Sequence, residues 1–316
     1  MKIFHNIDVL DIKKPVASIG IFDGVHLAHQ SIISELIIKA RDLFGESVIV
    51  TLWPHPRIVL NNEKNPIKLL NTLEEKIERL EMTGIENLII IPFNRELAIM
   101  GFDRFVREIL LKKIGVQHLV VGYNHHFGHN REGNYEKLQE LASISGFGLS
   151  KVDPVLIKDI KVSSSTIRRL IAEGTIESAN KLLGYSYYIS GKVILGNKKG
   201  RNIGFPTANI EVSDSNKLLP PKGVYAVYID TLDSRFKGMM NIGCRPTFHD
   251  DCLQETLEVN LFDYKGDLYN TALKIHFVKK IREEKKFETI DALRQQIVND
   301  KQLVNKILGS IKMDRI

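Results

Sequence analysis

The sequence predicts two folds in tandem: a doubly wound α/β domain on a parallel sheet, then an antiparallel β-barrel or sandwich closed by a C-terminal helix. Three observations carry this reading. The first half alternates short β-branched runs with amphipathic helical stretches. The second half holds alternating, turn-punctuated strands with no long helix among them. The texture changes after "IESANKLLGY" (176–185), which divides the 316 residues into domains 1–183 and 184–316.

In the first half, "VASIGIF" (16–22), "SVIVTL" (47–52), "NLIIIPF" (87–93) and "HLVVGY" (118–123) read as strands of a buried parallel sheet. Between them, "HQSIISELIIKARDLFG" (29–45) has apolar residues at helical spacing and a stop at Gly45. "NTLEEKIERLEMTG" (71–84) opens with Thr72 and Glu75 at the spacing of a capping box and ends at Gly84. "DRFVREILLKKIG" (103–115) repeats the pattern. In the second half, "YYISGKVILGNKKGRNIGF", "GVYAVYI", "KGMMNIG", "LEVNLF" and "LKIHFV" alternate as strands do. "TIDALRQQIVNDKQLVNKIL" (289–308) then returns to helical period.

Composition excludes several classes. Hydrophobic residues at 43% and charged residues at 26% describe a globular chain. The formal charge of +6 is mild, and no Lys/Arg block interleaves with aromatics, so nucleic acid is not an expected partner. No apolar run reaches the roughly 20 residues of a membrane span. "MKIFHNIDVLDIKK" carries charges too early for a signal peptide. Cys244 and Cys252 are the only cysteines, which is no disulfide framework and no metal spacing. These features predict a cytoplasmic protein in a reducing compartment.

The richest stretch of the first half is "SIGIFDGVHLAH" (18–29), a strand leaving through Gly20 to Gly24 toward a helix. In open α/β sheets ligands bind at the carboxyl ends of strands, and helix N-termini favour phosphate. His26 and His29, three residues apart, share a helical face there. By spacing alone they fit either a pair that stabilises charge at phosphorus or two surface histidines near a helix start.

The whole stretch resembles the G-x-F-D-G-x-H-x-G-H signature of the nucleotidyltransferase superfamily. The longer match is similar to the adenylyltransferase half of bacterial bifunctional riboflavin kinase/FAD synthetases. Ala28 departs from it, placing a methyl where glycine lets nucleotide approach the backbone. "TLWPHPRIVL" (51–60) resembles the family's F-x-P-H-P motif, and "VVGYNHHFGHNREGN" (120–134) its V-V-G-x-D-F-x-F-G, with Asn124 for Asp and His125 for Phe. "VSSSTIRRLIAEG" (162–174) resembles I-S-S-T-x-I-R. The resemblance implies a Rossmann-like nucleotidyltransferase domain with His26 and His29 catalytic. It implies nucleotide contacts at Gly20, Phe22, Asp23, Gly24, Ser163, Ser164, Ser165 and Arg168. Flavin contacts are implied at Pro54, His55, Pro56, Asn124 and Phe127. Without it, the serine cluster reads equally as a helix cap.

In the second half, "GKVILGNKKGRNIGFPTANIEV" (191–212) surrounds Lys198, Lys199 and Arg201 with glycines, as polyphosphate loops do. Its "GFPTAN" matches the G-x-P-T-A-N signature of riboflavin kinases. Thr207 and Asn209 fall on one face of a strand and offer hard oxygen ligands suited to Mg²⁺. "MNIGCRPTF" (240–248) and "LEVNLFDYKGDLY" (257–269) also resemble that module, with Asn260 where relatives commonly have His. The resemblance implies an antiparallel β-barrel riboflavin kinase domain with Glu258 as general base. It adds nucleotide contacts at Gly196, Lys198, Gly200, Arg201, Gly204 and Pro206, metal ligands Thr207 and Asn209, and flavin contact at Arg245.

The resemblance thus implies phosphorylation of riboflavin to FMN, then adenylylation of FMN to FAD. ATP is the co-substrate of both steps and Mg²⁺ the expected cofactor. Riboflavin, FMN, FAD and ATP are the expected partners of a monomer or weak oligomer, with no membrane or nucleic acid. Ala28, Asn124 and His125 motivate one alternative, a riboflavin kinase with an impaired adenylyltransferase domain. Two others are a flavin- or nucleotide-binding regulator, and an adenylyltransferase for another phosphate substrate.

Overall fold

The computed structural model describes residues 1–60, 66–123, 125–129, 132–196, 204–244 and 255–310. Asn124, Lys198, Gly200, Arg201 and Arg245 fall outside these ranges. The chain divides into two compact units, Met1–Ser164 and Ser165–Ile316.

The first unit holds β1 (Lys2–Phe4), β2 (Val16–Ile19), β3 (Ser47–Trp53), β4 (Asn87–Pro92), β5 (His118–Gly122) and β6 (Gly148–Val152). They form one sheet in the order β1-β4-β3-β2-β5-β6, and every pairing is parallel. Alternate strand residues point to two separate cores. Ala17, Ile19, Val48, Val50, Ile89, Ile91, Leu119 and Val121 face one. Val16, Ile49, Leu88, Ile90 and Val120 face the other. Because both faces are covered, these strands read as continuous apolar runs. The order reverses between β2 and β5, which pair only at Val16–His118 and Ala17–Leu119. That reversal is the switch point beside which open α/β sheets bind ligands. A small hairpin, β7 (Leu156–Ile157) with β8 (Ile160–Lys161), completes the unit.

Three local differences from the sequence reading have clear causes. β2 stops at Ile19, because Phe22, Gly24 and Val25 take positive φ values of 50°, 90° and 35° that no strand accepts. The first long helix therefore begins at Leu27, capped by His26, and ends at Asp42. The stretch 103–115 is a short α-turn, Phe102–Arg104, running into a π-helix, Phe105–Ile114. The wider π turn keeps all five of its buried residues, Phe105, Val106, Ile109, Leu110 and Ile114, in one core. The helix Leu73–Glu81 keeps its expected capping box between Thr72 and Glu75.

In the second unit, β9 (Tyr188–Ile194), β10 (Ala208–Glu211), β11 (Gly223–Asp230), β12 (Arg235–Cys244), β13 (Glu255–Leu261) and β14 (Ala272–Arg282) form a closed antiparallel barrel, in the order β10-β13-β12-β11-β14-β9. Closure removes the exposed edges that a sandwich would keep. The C-terminal helix Ile290–Ser310 packs Val304 and Leu308 against Val224, Tyr228 and Met239 of the barrel. Helices Ser164–Ala172 and Ile176–Leu183 precede the barrel. Asn180 ties the latter in: its Nδ2 donates to the Phe277 carbonyl at 2.9 Å, and its Oδ1 accepts from the Tyr187 amide at 2.8 Å. One expectation from the cysteines fails: Cys244 is disulfide-bonded. Cys252, the other cysteine of the chain, lies outside the described residues.

Candidate active sites

The first site forms where β2 ends at the switch point. The turn 20–25 brings the backbone back so that His26 caps the helix Leu27–Asp42. Its Nδ1 accepts the His29 amide at 3.3 Å, so the neutral ring carries its proton on Nε2. Ser164 Oγ lies 3.3 Å from that Nε2 and donates its own proton to the Asp23 carbonyl at 2.9 Å. The proton direction is then fixed along the chain: His26 Nε2–H to Ser164 Oγ, Ser164 O–H to Asp23 O. His26 is 3% exposed. His29, half-exposed, stacks on it with ring centroids 3.6 Å apart and an interplanar angle of 15°. The Phe22 ring packs against His29 at 5.1 Å.

The Asp23 carboxylate points into the protein rather than toward the mouth of the site. Its oxygens accept the amides of Leu70 and Asn71 at 3.0–3.1 Å, just ahead of the helix Leu73–Glu81. At the end of β3 the Trp53–Pro54 bond is cis, and the turn places His55 inward, its Nδ1 accepting the Arg57 amide at 3.0 Å. Phe127 packs its ring against Phe102 and Phe105 at 5.1 and 5.7 Å. His125, beside it at 5.0 Å, has its pKa pushed down to about 4 by burial, so it is neutral at physiological pH. Ser163 precedes the helix Ser164–Ala172, Ser165 is exposed within it, and Arg168 lies one turn in.

The second site rests on strand register. Asn209 on β10 stands directly across from Glu258 on β13, and Asn241 on β12 faces Glu258 from the other side. Thr207, just before β10, donates from Oγ1 to Glu258 Oε2 at 3.5 Å. Gly196 lies under the Asn209 side-chain amide, and a Cβ there would overlap it. Gly204 holds a φ of 84°, a conformation that glycine adopts without strain. The hydroxyl, amide and carboxylate oxygens so gathered are the hard donors a Mg²⁺–polyphosphate needs. Among the described residues no group of three His, Cys, Asp or Glu is placed to hold a metal by itself. Phosphate oxygens would have to complete such a coordination sphere.

Two contributors escaped the sequence reading. Asn260, 5% exposed, donates from Nδ2 to the Pro206 carbonyl at 2.6 Å and so holds the segment leading into Thr207. Its substitution for the common histidine was visible, but its partner was not. Lys76, 1% exposed inside the helix Leu73–Glu81, lies with its Nζ 4.9 Å from the centroid of the Trp53 ring. The amphipathic pattern around it concealed it.

Residues 10–166 match the FAD synthetase family, and residues 183–308 match the riboflavin kinase family. A bifunctional riboflavin kinase/FMN adenylyltransferase of Bacillus subtilis is 38% identical over 310 residues, 98% of this chain and 97% of its own length. The Escherichia coli protein of that name is 32% identical over 309 residues, 98% of this chain and 97% of its own. The crystal structure of a macrolide-efflux protein from Streptococcus pneumoniae superposes with a TM-score of 0.87 at 27% identity, covering 96% of this chain and 98% of that one. In this chain no helix among the described residues is long and apolar enough to cross a membrane. The two matched segments, in this order, and the 32–38% identity to these relatives over nearly the whole chain place it in the family of bifunctional riboflavin kinase/FMN adenylyltransferases.

Proposed function

We propose that the two activities divide between the two sites, with residues 184–316 carrying riboflavin kinase and residues 1–183 carrying FMN adenylyltransferase. The chain is a transferase that makes FMN from riboflavin and ATP, and FAD and pyrophosphate from FMN and ATP. The observation that carries the division is that two separate groups of polar side chains form, one at a strand–helix turn and one on barrel strands.

In the kinase reaction the riboflavin 5′-hydroxyl oxygen bonds to the γ-phosphorus as the bond to the ADP oxygen breaks. Glu258 takes the hydroxyl proton. Thr207 and Asn209 are the residues that would hold Mg²⁺, and the bound ion would screen the triphosphate charge. Gly196, Lys198, Gly200, Arg201, Gly204 and Pro206 would line the polyphosphate, and Arg245 the flavin.

In the adenylyl transfer an FMN phosphate oxygen attacks the α-phosphorus of ATP and pyrophosphate leaves. His29, the more exposed ring, donates to the charge developing on the α-phosphoryl oxygens. His26, with both nitrogens engaged by the protein, fixes the plane of His29 by stacking. Gly20, Phe22 and Gly24 shape the nucleotide turn, with Asp23 bracing it from behind. Ser163, Ser164, Ser165 and Arg168 would receive the leaving pyrophosphate. Pro54, His55, Pro56, Asn124 and Phe127 would border the flavin. The reading keeps the enzyme in the cytoplasm as a monomer or weak oligomer, acting on riboflavin, FMN, FAD and ATP.

Incubation with riboflavin, ATP and Mg²⁺, resolved by chromatography over time, tests this: FMN rises first and FAD follows. The rival reading, a riboflavin kinase with an impaired first domain, rests on the Ala28 methyl at the second position of the helix Leu27–Asp42. FMN accumulating with no FAD would favour it.

A further inference from the structure

We infer that Lys76 is a positioning residue of the adenylyl-transfer site, its ammonium tying the turn that carries Asp23 and His26 to the turn at 53–56. The inference rests on the reading of that site as the adenylyltransferase.

Lysine is among the residues least often buried, and a buried ammonium is normally paired. Lys76 is 1% exposed, and its Nζ has no hydrogen-bond partner among the described residues. What it has instead are two electrostatic neighbours from two different motifs. One is the π-face of Trp53, 4.9 Å away, at the end of β3 immediately before the cis-Pro54 turn. The other is the charge of Asp23, the charged group that acts on it from the β2 turn. Asp23 is itself 3% exposed, and its carboxylate accepts the backbone amides of Leu70 and Asn71. A cation on the helix between them balances that buried anion and attracts the indole face.

Stability alone gives no reason to keep such a lysine. Buried charges replaced by apolar side chains of similar volume are often tolerated or stabilising. The hydrophobic neighbours of Lys76 on the same helix, Leu73 and Ile77, already pack in one core with Trp53. The ammonium adds direction. It holds the Trp53 ring over the helix and the Asp23 turn against the helix N-terminus, and these two turns flank the proposed FMN and ATP positions. Burial pushes the Lys76 pKa down to about 8, while Asp23 pulls it back up.

Trp53 is the only tryptophan in the chain, so indole fluorescence reports the surroundings of this one ring. In the full-length wild-type protein, Trp53 emission should shift with a midpoint near pH 8 as the ammonium loses its proton. K76M should abolish that transition. Every other titratable group remains in K76M, so only the part of the transition that K76M removes is assigned to Lys76. K76M should raise the KM for FMN about tenfold with kcat within about twofold, and leave riboflavin phosphorylation unchanged. A merely destabilised domain would instead lower kcat through the active fraction and keep KM. A wild-type KM for FMN in folded K76M, or no K76M-sensitive transition near pH 8, overturns the inference. Should K76M fail to fold, D23N decides. Without the anion the Trp53 midpoint moves to lower pH, and an unmoved midpoint overturns the inference. If H29A still forms FAD, the reading of the site fails, whereas the Trp53 result stands or falls by itself.

Discussion

At the first site the side chains hang from a turn whose backbone is bent out of ordinary conformations, whereas at the second they stand on regular strands. Phe22 and Val25 both hold positive φ, which side-chain-bearing residues avoid, and the network from His26 through Ser164 to the Asp23 carbonyl fastens them. Glu258, Asn209 and Asn241 need no such fastening. Antiparallel register alone brings them side by side. The difference teaches that a site on a strained turn depends on what braces it from behind. A site on a barrel depends on what lies beneath each strand residue.

The largest expected effect breaks the comparison along its main line. H29A should cut FAD formation from FMN by about a thousandfold. E258Q should cut FMN formation from riboflavin by a similar factor. Steady-state assays of each half-reaction, in both variants, check that each leaves the other activity unchanged.

A smaller effect comes from beneath the second site. G196A places a methyl where the Asn209 amide now lies, so Asn209 must leave its position across from Glu258. Kinase activity should fall about tenfold or more, with a raised Mg²⁺ requirement, and adenylyl transfer should be untouched. Metal titrations of the two half-reactions separate these outcomes.

The corresponding change behind the first site is milder. S164A removes the acceptor for His26 Nε2–H and the donor to the Asp23 carbonyl. FAD formation should drop about tenfold, because the His26 ring loses the contact at Nε2 that holds it in place and His29 its stacking partner's orientation. A pH–rate profile of adenylyl transfer, flatter or displaced in S164A, would register the change.

The smallest effect concerns the barrel away from either site. Burial works to raise the Asp230 pKa, but hydrogen bonds from Arg235 and His276 prevail and hold it well below the usual carboxylate range. A depressed folded pKa means stabilisation that is present above the unfolded value, roughly 4, and lost as pH falls through the folded one. D230N should therefore cost about 1.5 kcal/mol at neutral pH. The difference from wild type should shrink progressively as the pH drops below about 4. Denaturant melts across that range measure it.

The same contrast governs how much could be read from sequence. The parallel sheet was legible because burial on both faces leaves unbroken β-branched runs, as in β3 and β4. The barrel strands were legible too, but not their closure, since whether β9 meets β14 and β10 meets β13 depends on pairing between distant residues. Thr207, Asn209 and Glu258 lie within quoted motifs, and strand alternation put the first two on one face. The strained turn was harder. "VASIGIF" looks like seven strand residues, and nothing in its composition says that the strand ends at Ile19. The π-helix Phe105–Ile114 was read as an ordinary helix, because windows of that length tolerate either period. Lys76 and Asn260 were invisible as contributors, because what matters about each is a partner far along the chain.

The central claim is that one chain holds two separate sites, each sufficient for one reaction. It is tested most directly by following riboflavin, ATP and Mg²⁺ with E258Q alone, H29A alone and the two mixed. The account predicts no FMN from E258Q, FMN without FAD from H29A, and FAD restored in the mixture as FMN made by one molecule reaches the other. FAD formation missing from the mixture, with each variant folded and retaining its own half-reaction, would contradict it.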